Sequence, residues 1–355
     1  MKTTKFHILN TLIQNKLNIK FKIKFKNILA NSEKVRTFAA TYLPRFPSDQ
    51  RAQGKSFFFT TMEYTKGPLP FNEQIEHLKS KGLSFADEAK ALHTLQHISY
   101  FRLKSYLRAT MYDRKTRTYK SGATFEQAYE LYKFDSRLRK LIIAEMEKIE
   151  VSVRAQMACI SVGNSGAFWF SDSGNFTNPQ QHSDILNALK SELDRSDDDN
   201  VLSFRNNYTN AFPPAWISLE VSSFGTLSRL YKLMAPGLIK RQIAKVYGVS
   251  DSVFESWMHS LVYVRNICAH HSRLWNRELR IRPLFPRKTA HPFLNVPCRN
   301  TRVYYVLCII RYLLATINPN TTFPGKLKSL LAEFPQVNVT AMGFPSGWES
   351  EPLWK

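Results

Sequence analysis

The sequence has little cysteine, and its cysteines form no regular pattern. Its 355 residues include only Cys159, Cys268, Cys298 and Cys308, and no two of these are spaced as Cys-x-x-Cys. A zinc knuckle needs such pairs, and a disulfide scaffold needs a framework of regularly spaced cysteines. Neither is therefore supported, and the cysteine content fits a reducing cytoplasm.

Long apolar runs are also missing. The most apolar stretch, residues 303–317, is interrupted by Arg311 and is shorter than the roughly 20 residues that a membrane-spanning helix needs. A secretion signal would need an uninterrupted apolar segment followed by a small-residue cleavage site, and residues 1–61 contain none. We therefore predict a cytoplasmic protein with no transmembrane helix and no membrane partner.

Acidic residues are scarce relative to basic ones. There are 28 Asp and Glu against 50 Lys and Arg, which gives a formal net charge of +22. Residues 1–61 hold 12 basic and 2 acidic residues, or +10, and the rest of the chain holds 38 and 26, or +12. The usual partners of so basic a protein are nucleic acid or an anionic membrane surface. The charge therefore favours a polyanionic partner.

The pattern of apolar residues divides the chain into three parts. Residues 1–61 are lysine-rich and then rich in Ser, Pro, Gln and Gly, so we predict a disordered leader or an extension from a mis-assigned start codon. Residues 62–122 are predicted to form an N-terminal helical region. Residues 123–355 are predicted to form the main helical domain with additional C-terminal helices. Because the periodicity is helical and no segment is strand-rich, the predicted fold class is all-α.

Two helices in this prediction bear on the site. One is predicted from Tyr100 to Met111, followed by a polar connection to Gly122. The other begins at the capping residue Thr124 and continues to about Val162, either as two helices or as one bent helix.

The densest cluster of reactive side chains lies at residues 265–277, Arg-Asn-Ile-Cys-Ala-His-His-Ser-Arg-Leu-Trp-Asn-Arg. Apolar residues recur at helical spacing just before it, at Phe254, Trp257, Leu261 and Val264. This spacing predicts an amphipathic helix that begins near Asp251 and carries the cluster at or near its C-terminal end. Asn266 and His270, four residues apart, then share one face of the helix.

Arg265, Asn266 and His270 suit the cleavage of RNA without a metal ion. An RNA strand carries its own nucleophile, the 2′-hydroxyl, so a nuclease needs only proton transfer and charge stabilisation. A histidine imidazole titrates near neutral pH and can take or give the proton, and a permanently charged arginine can brace the pentavalent phosphorane. We predict Arg265 and His270 as catalytic residues, with Asn266 orienting one of them, and neither a metal nor a cofactor.

The spacing Arg-x4-His is weak by itself, but the full string closely resembles the Arg-Asn-x3-His signature of the HEPN superfamily. It looks like the hallmark of the Abi-like proteins (abortive infection, AbiD/AbiF type). Other parts of the same family pattern occur in the expected order at residues 100–103, 131–139, 147–154, 213–216, 223–228 and 342–345. The resemblance covers the chain from residue 63 or so to its C-terminus.

This resemblance implies a HEPN-type helical bundle with additional N-terminal helices. It implies a ribonuclease of phage defence or of a toxin system, acting as a homodimer in which the Arg/His motifs of two chains face each other. Family members are encoded beside a structured non-coding RNA, so the resemblance also points to such an RNA as a regulatory partner, in addition to the RNA substrate.

Three further residues are assigned supporting roles, each with an alternative. His271 is a second candidate imidazole because Arg-x5-His is also an allowed spacing in the superfamily, but we prefer His270, which shares the face of Asn266. Glu150 and Arg154 form an i, i+4 pair, which is most often surface electrostatics. The resemblance instead gives this pair a supporting role beside Arg265 and His270.

Four arginines are predicted to bind RNA. Arg273 and Arg277 follow the motif, and Arg102 and Arg108 lie on the outer face of the helix predicted from Tyr100. The alternative for any one of them is the solvated face of an ordinary helix.

Other motifs favour structural interpretations. The acidic run of residues 197–199 is typical of a solvated helix cap more than of a Mg²⁺ site. The aromatic residues 168–170 are predicted to plug the core, with base stacking as the alternative.

The rival function is RNA binding without cleavage, as a sensor or as the protein component of a ribonucleoprotein with a non-coding RNA. The net charge supports this equally well. Arg265, Asn266 and His270 favour catalysis, because a pure binder has no need of an imidazole that titrates near neutrality. A HEPN transferase that attaches nucleotides to proteins would need a nucleotide-binding or tyrosine-acceptor motif, and the sequence shows no convincing one.

Overall fold

The computed structural model describes residues 67–355, and α-helices account for most of them. The predicted all-α class is confirmed. In chain order the described helices are α1 (Phe71–Ser80), α2 (Glu88–Ile98), α3 (Tyr100–Leu107), α4 (Phe125–Ser165), α5 (Pro179–Asp194), α6 (Asp199–Asn207), α7 (Ala215–Ser218), α8 (Phe224–Leu233), α9 (Leu238–Val246), α10 (Asp251–Ala269), α11 (Val303–Ile317) and α12 (Phe323–Glu333). The predicted leader, residues 1–61, lies outside the described residues, and the boundary at residue 122 stays a prediction.

Helix α4 is the element around which the others pack. It begins at a capping box, in which the Thr124 hydroxyl accepts the Gln127 N–H and the Gln127 side chain accepts the Thr124 N–H, both at 3.2 Å. The prediction of the Thr124 cap is confirmed, and the two-helix alternative is wrong. No proline occurs in the helix and no glycine before Gly163, so its 41 residues form one helix. Helices α3, α7, α8, α9, α10, α11 and α12 all contact it.

Helix α11 is buried on nearly every side. The C-terminal tail closes over it, because the Trp354 indole N–H donates to the Tyr304 hydroxyl at 3.2 Å and Trp348 is also buried. The tail tryptophans thus hold the C-terminus against the core. Within residues 67–355, no helix combines the length and the apolar character needed to cross a bilayer.

The helix predicted from Tyr100 to Met111 is shorter than expected. Helix α3 ends at Leu107, and a two-stranded antiparallel hairpin follows, β1 (Met111–Asp113) and β2 (Thr118–Tyr119). The paired residues Met111 and Tyr119 are buried, so the hairpin covers part of the core. Asp113 stabilises the turn by accepting the Lys115 N–H at 2.8 Å.

The aromatic residues after α4 mostly pack inside. Trp169 and Phe170 are 2% and 0% exposed, which confirms the prediction that they plug the core, whereas Phe168 is 40% exposed.

A glycine turn connects α9 to α10. Gly248 has φ +66°, and its carbonyl oxygen accepts the Ala290 N–H at 2.9 Å and the Tyr312 hydroxyl at 3.1 Å. A Cβ at Gly248 would lie 2.4 Å from the Ala290 Cβ. The turn therefore holds the segment that follows the candidate motif against the start of α10.

We expect Gly248→Ala to destabilise the protein for two reasons, left-handed backbone and steric overlap. The matched control is Gly347→Ala. Gly347 has φ +69°, but the space around its Cβ position is open. The control should cost about 1–2 kcal/mol of unfolding free energy from the backbone alone. Overpacking should add about 1–3 kcal/mol at Gly248. Urea unfolding of both variants checks this, and equal losses would show that the close approach at Gly248 has no energetic weight.

Candidate active site

The motif lies where the sequence predicted it, at the C-terminal end of α10. The side chain of Ser250 caps the start of this helix by accepting the Val253 N–H at 3.4 Å. The four apolar residues that predicted the helix are all buried, Phe254, Trp257, Leu261 and Val264. Helix α10 therefore fixes its apolar stripe in the core and carries its last turn to the surface.

The helix ends at the two histidines in a Schellman arrangement. His270 is the C-cap, the His271 N–H donates to the Cys268 carbonyl at 3.0 Å, and the Ser272 N–H donates to the Ile267 carbonyl at 2.9 Å. His271 has φ +54°, in the left-handed position that glycine usually takes. A non-glycine residue in this conformation lowers the stability of the folded state by about 1–2 kcal/mol. Such backbone strain is often found at functional sites.

The three predicted catalytic residues remain accessible on this last turn. Arg265 is half-buried, while Asn266 and His270 are exposed. The His270 N–H donates to the Asn266 carbonyl at 3.0 Å, so these residues stay one helical turn apart on the same side. Among residues 67–355, no side chain forms a hydrogen bond with the side chain of Arg265, Asn266 or His270. Their polar atoms are therefore open to a ligand.

Helix α3 contacts the motif through Arg102. Its Nη1 donates to the His271 carbonyl oxygen at 2.7 Å, across 169 residues of chain. The sequence had assigned Arg102 to RNA, but its guanidinium also fixes the strained backbone at His271. An arginine has five donors, so the remaining ones are available for a phosphate.

The segment after the histidines is held by a buried carboxylate that the sequence analysis missed. Asp135 of α4 is 0% exposed. It accepts the Trp275 N–H at 2.6 Å, the Leu274 N–H at 3.1 and 3.2 Å, and the Tyr106 hydroxyl at 2.6 Å. The backbone just past the motif is thereby fixed to both α4 and α3.

The charge of Asp135 is compensated within the core. Arg139, one turn later on α4, is also buried and forms an ion pair with the same carboxylate. Burial raises the pKa of the Tyr106 phenol, and the Asp135 charge raises it further, so Tyr106 stays protonated and donates. These partners around the Asp135 carboxylate offset the loss of its hydration.

The predicted RNA-binding arginines converge beside this anchor. Burial lowers the pKa of Arg273, and the neighbouring charge of Arg277 lowers it further. The charge of Arg108 also lowers the pKa of Arg273, whereas the charge of Asp135 raises it. We call Arg102, Arg108, Arg273 and Arg277 the arginine cluster. The structure brings its members to one region from α3 and its C-cap and from residues 271–277, which we call the motif loop. Arg273 also bonds to Asn276.

Cys268, inside the motif, is buried and lacks the exposed, electropositive setting of a reactive cysteine. Burial, and secondly the charge of Asp135, raises the pKa of its thiol to about 12. The thiol therefore stays protonated at neutral pH, and the reactive thiolate does not form.

Glu150 and Arg154 have a well-defined local role. Arg154 is buried and donates to the Leu219 carbonyl at 2.8 Å, to the Ser222 carbonyl at 3.0 Å and to Glu150 at 3.1 Å. The pair thus holds the turn between α7 and α8. Arg154 lies about 28 Å along α4 from Asp135. Its supporting role beside Arg265 and His270 stays a prediction.

Across the described residues, no group of three or more His, Cys, Asp or Glu side chains is placed to hold a metal ion. In the acidic run, Asp198 caps α6 by accepting the N–H groups of Asn200 at 2.9 Å and Val201 at 3.3 Å, as predicted.

Fold and site together define an all-α protein with an exposed Arg/His motif at the end of a core helix. A family model described as "Abi-like protein" matches residues 93–276, more than half of the chain, from α2 to the end of the motif loop. The chain belongs to the Abi-like family. No curated protein and no solved structure matches it significantly.

We expect Asp135→Asn to lower the unfolding free energy by about 3–5 kcal/mol, the usual cost of removing one partner of a buried ion pair. Asp197→Asn makes the same chemical change at an exposed site and should alter stability by less than about 0.5 kcal/mol. Urea unfolding measures both.

A second variant covers the case in which Asp135→Asn does not fold. Tyr106→Phe removes one hydrogen bond to the carboxylate and should cost about 1.5–3 kcal/mol. Wild-type stability in both Asp135→Asn and Tyr106→Phe would contradict the anchoring role.

Proposed function

We propose that this protein is a metal-independent endoribonuclease of the HEPN type, related to the AbiD/AbiF proteins. It would act in the cytoplasm in abortive infection, as a phage defence, or in a toxin system. The observation that carries the proposal is the exposed last turn of α10. There an imidazole and an amide lie beside a half-buried guanidinium, next to the arginine cluster.

The chemistry proposed for this turn is attack by the RNA 2′-hydroxyl on the adjacent phosphorus. The imidazole of His270 takes the 2′-proton as the new P–O bond forms, and a protonated imidazole gives a proton to the departing 5′-oxygen. The guanidinium of Arg265 stabilises the negative charge of the phosphorane, and Asn266 orients the reacting groups. The products are a 2′,3′-cyclic phosphate and a 5′-hydroxyl.

His270 is preferred over His271 on backbone grounds. Its N–H keeps the helical bond to the Asn266 carbonyl, so its side chain leaves from the same turn as Arg265 and Asn266. The left-handed φ of His271 turns the chain away from that helix. In this proposal His271 supports the reaction, for instance as the second imidazole.

The arginine cluster supplies the substrate contacts. Guanidinium groups bind phosphate oxygens in pairs and remain charged at any physiological pH. Arg108 is exposed, and within the described residues its side chain and that of Arg277 form no hydrogen bond to protein. These two would bind the RNA backbone, with Arg102 and Arg273 contributing the donors that they do not use on protein.

Two partners belong to the proposal. The first is a second copy of the chain, because each chain carries one Arg/His motif and a paired active site needs two. The second is a structured non-coding RNA that regulates the enzyme. Both rest on the family resemblance and on the exposure of the motif.

The first test is His270→Ala. Cleavage of RNA should fall by about 10²- to 10⁴-fold, the usual contribution of general acid–base catalysis, while RNA affinity should remain unchanged. The matched control is His259→Ala, an exposed imidazole on the same helix about 16 Å from His270 along the axis. It should cleave at the wild-type rate, and His271→Ala separates the two candidate imidazoles.

Two outcomes would count against the proposal. Wild-type cleavage by His270→Ala would remove His270 from the mechanism. Tight RNA binding by the wild-type protein without any cleavage would instead favour the RNA-binding sensor or ribonucleoprotein component.

The second test is Arg265→Ala. It should weaken RNA binding by tenfold or more and also slow cleavage, because a charged hydrogen bond to phosphate is worth about 1.5–3 kcal/mol in the bound state and in the transition state. Arg241→Ala removes an exposed charge from α9 and serves as the control. Filter binding and single-turnover kinetics measure the two effects, and unchanged binding and rate for Arg265→Ala would refute its role.

A further inference from the structure

Helix α3 exposes an aromatic ring next to the motif. Phe101 is 76% exposed, whereas Leu103, two residues later, is 1% exposed and faces the core. Exposing a phenyl ring on a helix that already has a buried face gains no stability for the folded chain. Phe101 therefore has no role in packing within the described structure.

The ring is held in place without being covered. The Tyr100 ring meets it edge-on, with centroids 5.6 Å apart and an interplanar angle of 71°. The Lys104 ammonium lies 5.8 Å from the Phe101 centroid. Two neighbours thus orient the ring, and an aromatic side chain with only two rotatable bonds loses little entropy when it binds a ligand.

The position of the ring relative to the motif follows from its neighbour. Arg102, the next residue, donates to the His271 carbonyl at 2.7 Å, so α3 lies directly against the end of α10. An RNA strand with its scissile phosphate at the motif would pass α3 within a few nucleotides.

The surroundings of the ring select the kind of ligand. Four arginines give this region a strongly positive character: Arg102 on α3, Arg108 at its C-cap, and Arg273 and Arg277 on the motif loop. An exposed aromatic ring among cations matches single-stranded nucleic acid, which offers bases for stacking and phosphates for the cations. An apolar protein face would need an apolar patch here, but the exposed neighbours of Phe101 include Arg102 on α3 and Arg108 at its C-cap.

We propose that Phe101 stacks on an unpaired base of the RNA strand bound at the motif. This inference rests on the proposed ribonuclease function and adds to it a preference for single-stranded or looped RNA, because the bases of a duplex are already stacked on one another. Arg102 then holds the motif backbone while Phe101 holds the base.

The test uses full-length protein carrying His270→Ala, so that the RNA is not consumed. Single-stranded RNA oligonucleotides carry 2-aminopurine at successive positions, and fluorescence is followed as protein is added. Stacking on Phe101 should quench the probe at one position. Adding Phe101→Leu, which keeps apolar volume but removes the ring, should abolish this quenching and weaken binding by about tenfold to a hundredfold.

The controls isolate the ring. Phe101→Trp should restore both quenching and affinity. Tyr208→Ala removes a ring that is 62% exposed on another part of the surface, and it should change neither quantity. A duplex version of the RNA should bind the parent protein and the Phe101→Leu variant equally.

Three outcomes would overturn the inference. If RNA binds the Phe101→Leu variant as tightly as its parent, with the same quenching, then Phe101 is not part of the substrate site. The ribonuclease proposal is unaffected by that result. A change in oligomeric state by light scattering, with RNA binding unaltered, assigns the ring to protein contact. Failure of the parent protein to bind any RNA refutes the proposed function and this inference together.

Discussion

The buried carboxylate of Asp135 is the interaction on which the position of the motif depends. It accepts backbone N–H groups from Leu274 and Trp275, 139 and 140 residues away in the chain, and side-chain donors from Tyr106 and Arg139. Removing a carboxylate from water is costly, and these donors offset the cost. The loop after the histidines, helix α3 and helix α4 must therefore be in place together, which makes the end of α10 a fixed feature.

The arginines around this anchor divide into two groups. Arg102 and Arg273 bond to the His271 carbonyl and to the Asn276 side chain, so part of their hydrogen-bonding capacity shapes the site. Arg265, Arg108 and Arg277 have no such side-chain bonds within the described residues. The backbone around His271 is strained and rigid, and cations lie beside it. This arrangement is suited to holding one phosphate in a defined orientation.

Local signals predicted the helices well. Helix α10 and the histidines at its end follow from the spacing of apolar residues, and the start of α4 follows from its capping residue Thr124. The Asp135 anchor was missed because its backbone partners lie far along the chain, although one signal was present. Asp135 occupies the same stripe of α4 as the core residues Leu131 and Leu138, where a charge requires buried partners. The hairpin after α3 was missed because its strands, three and two residues long, give little periodicity.

The chemical identity of the RNA ends produced in EDTA tests the proposed cleavage mechanism most directly. Attack by the 2′-hydroxyl predicts 2′,3′-cyclic phosphates and 5′-hydroxyls, and it predicts that one 2′-deoxynucleotide at the cleavage site blocks the cut. Products with 3′-hydroxyl and 5′-phosphate ends, or cleavage that EDTA abolishes, would show that water activated by a metal is the nucleophile and would contradict the mechanism assigned to Arg265 and His270.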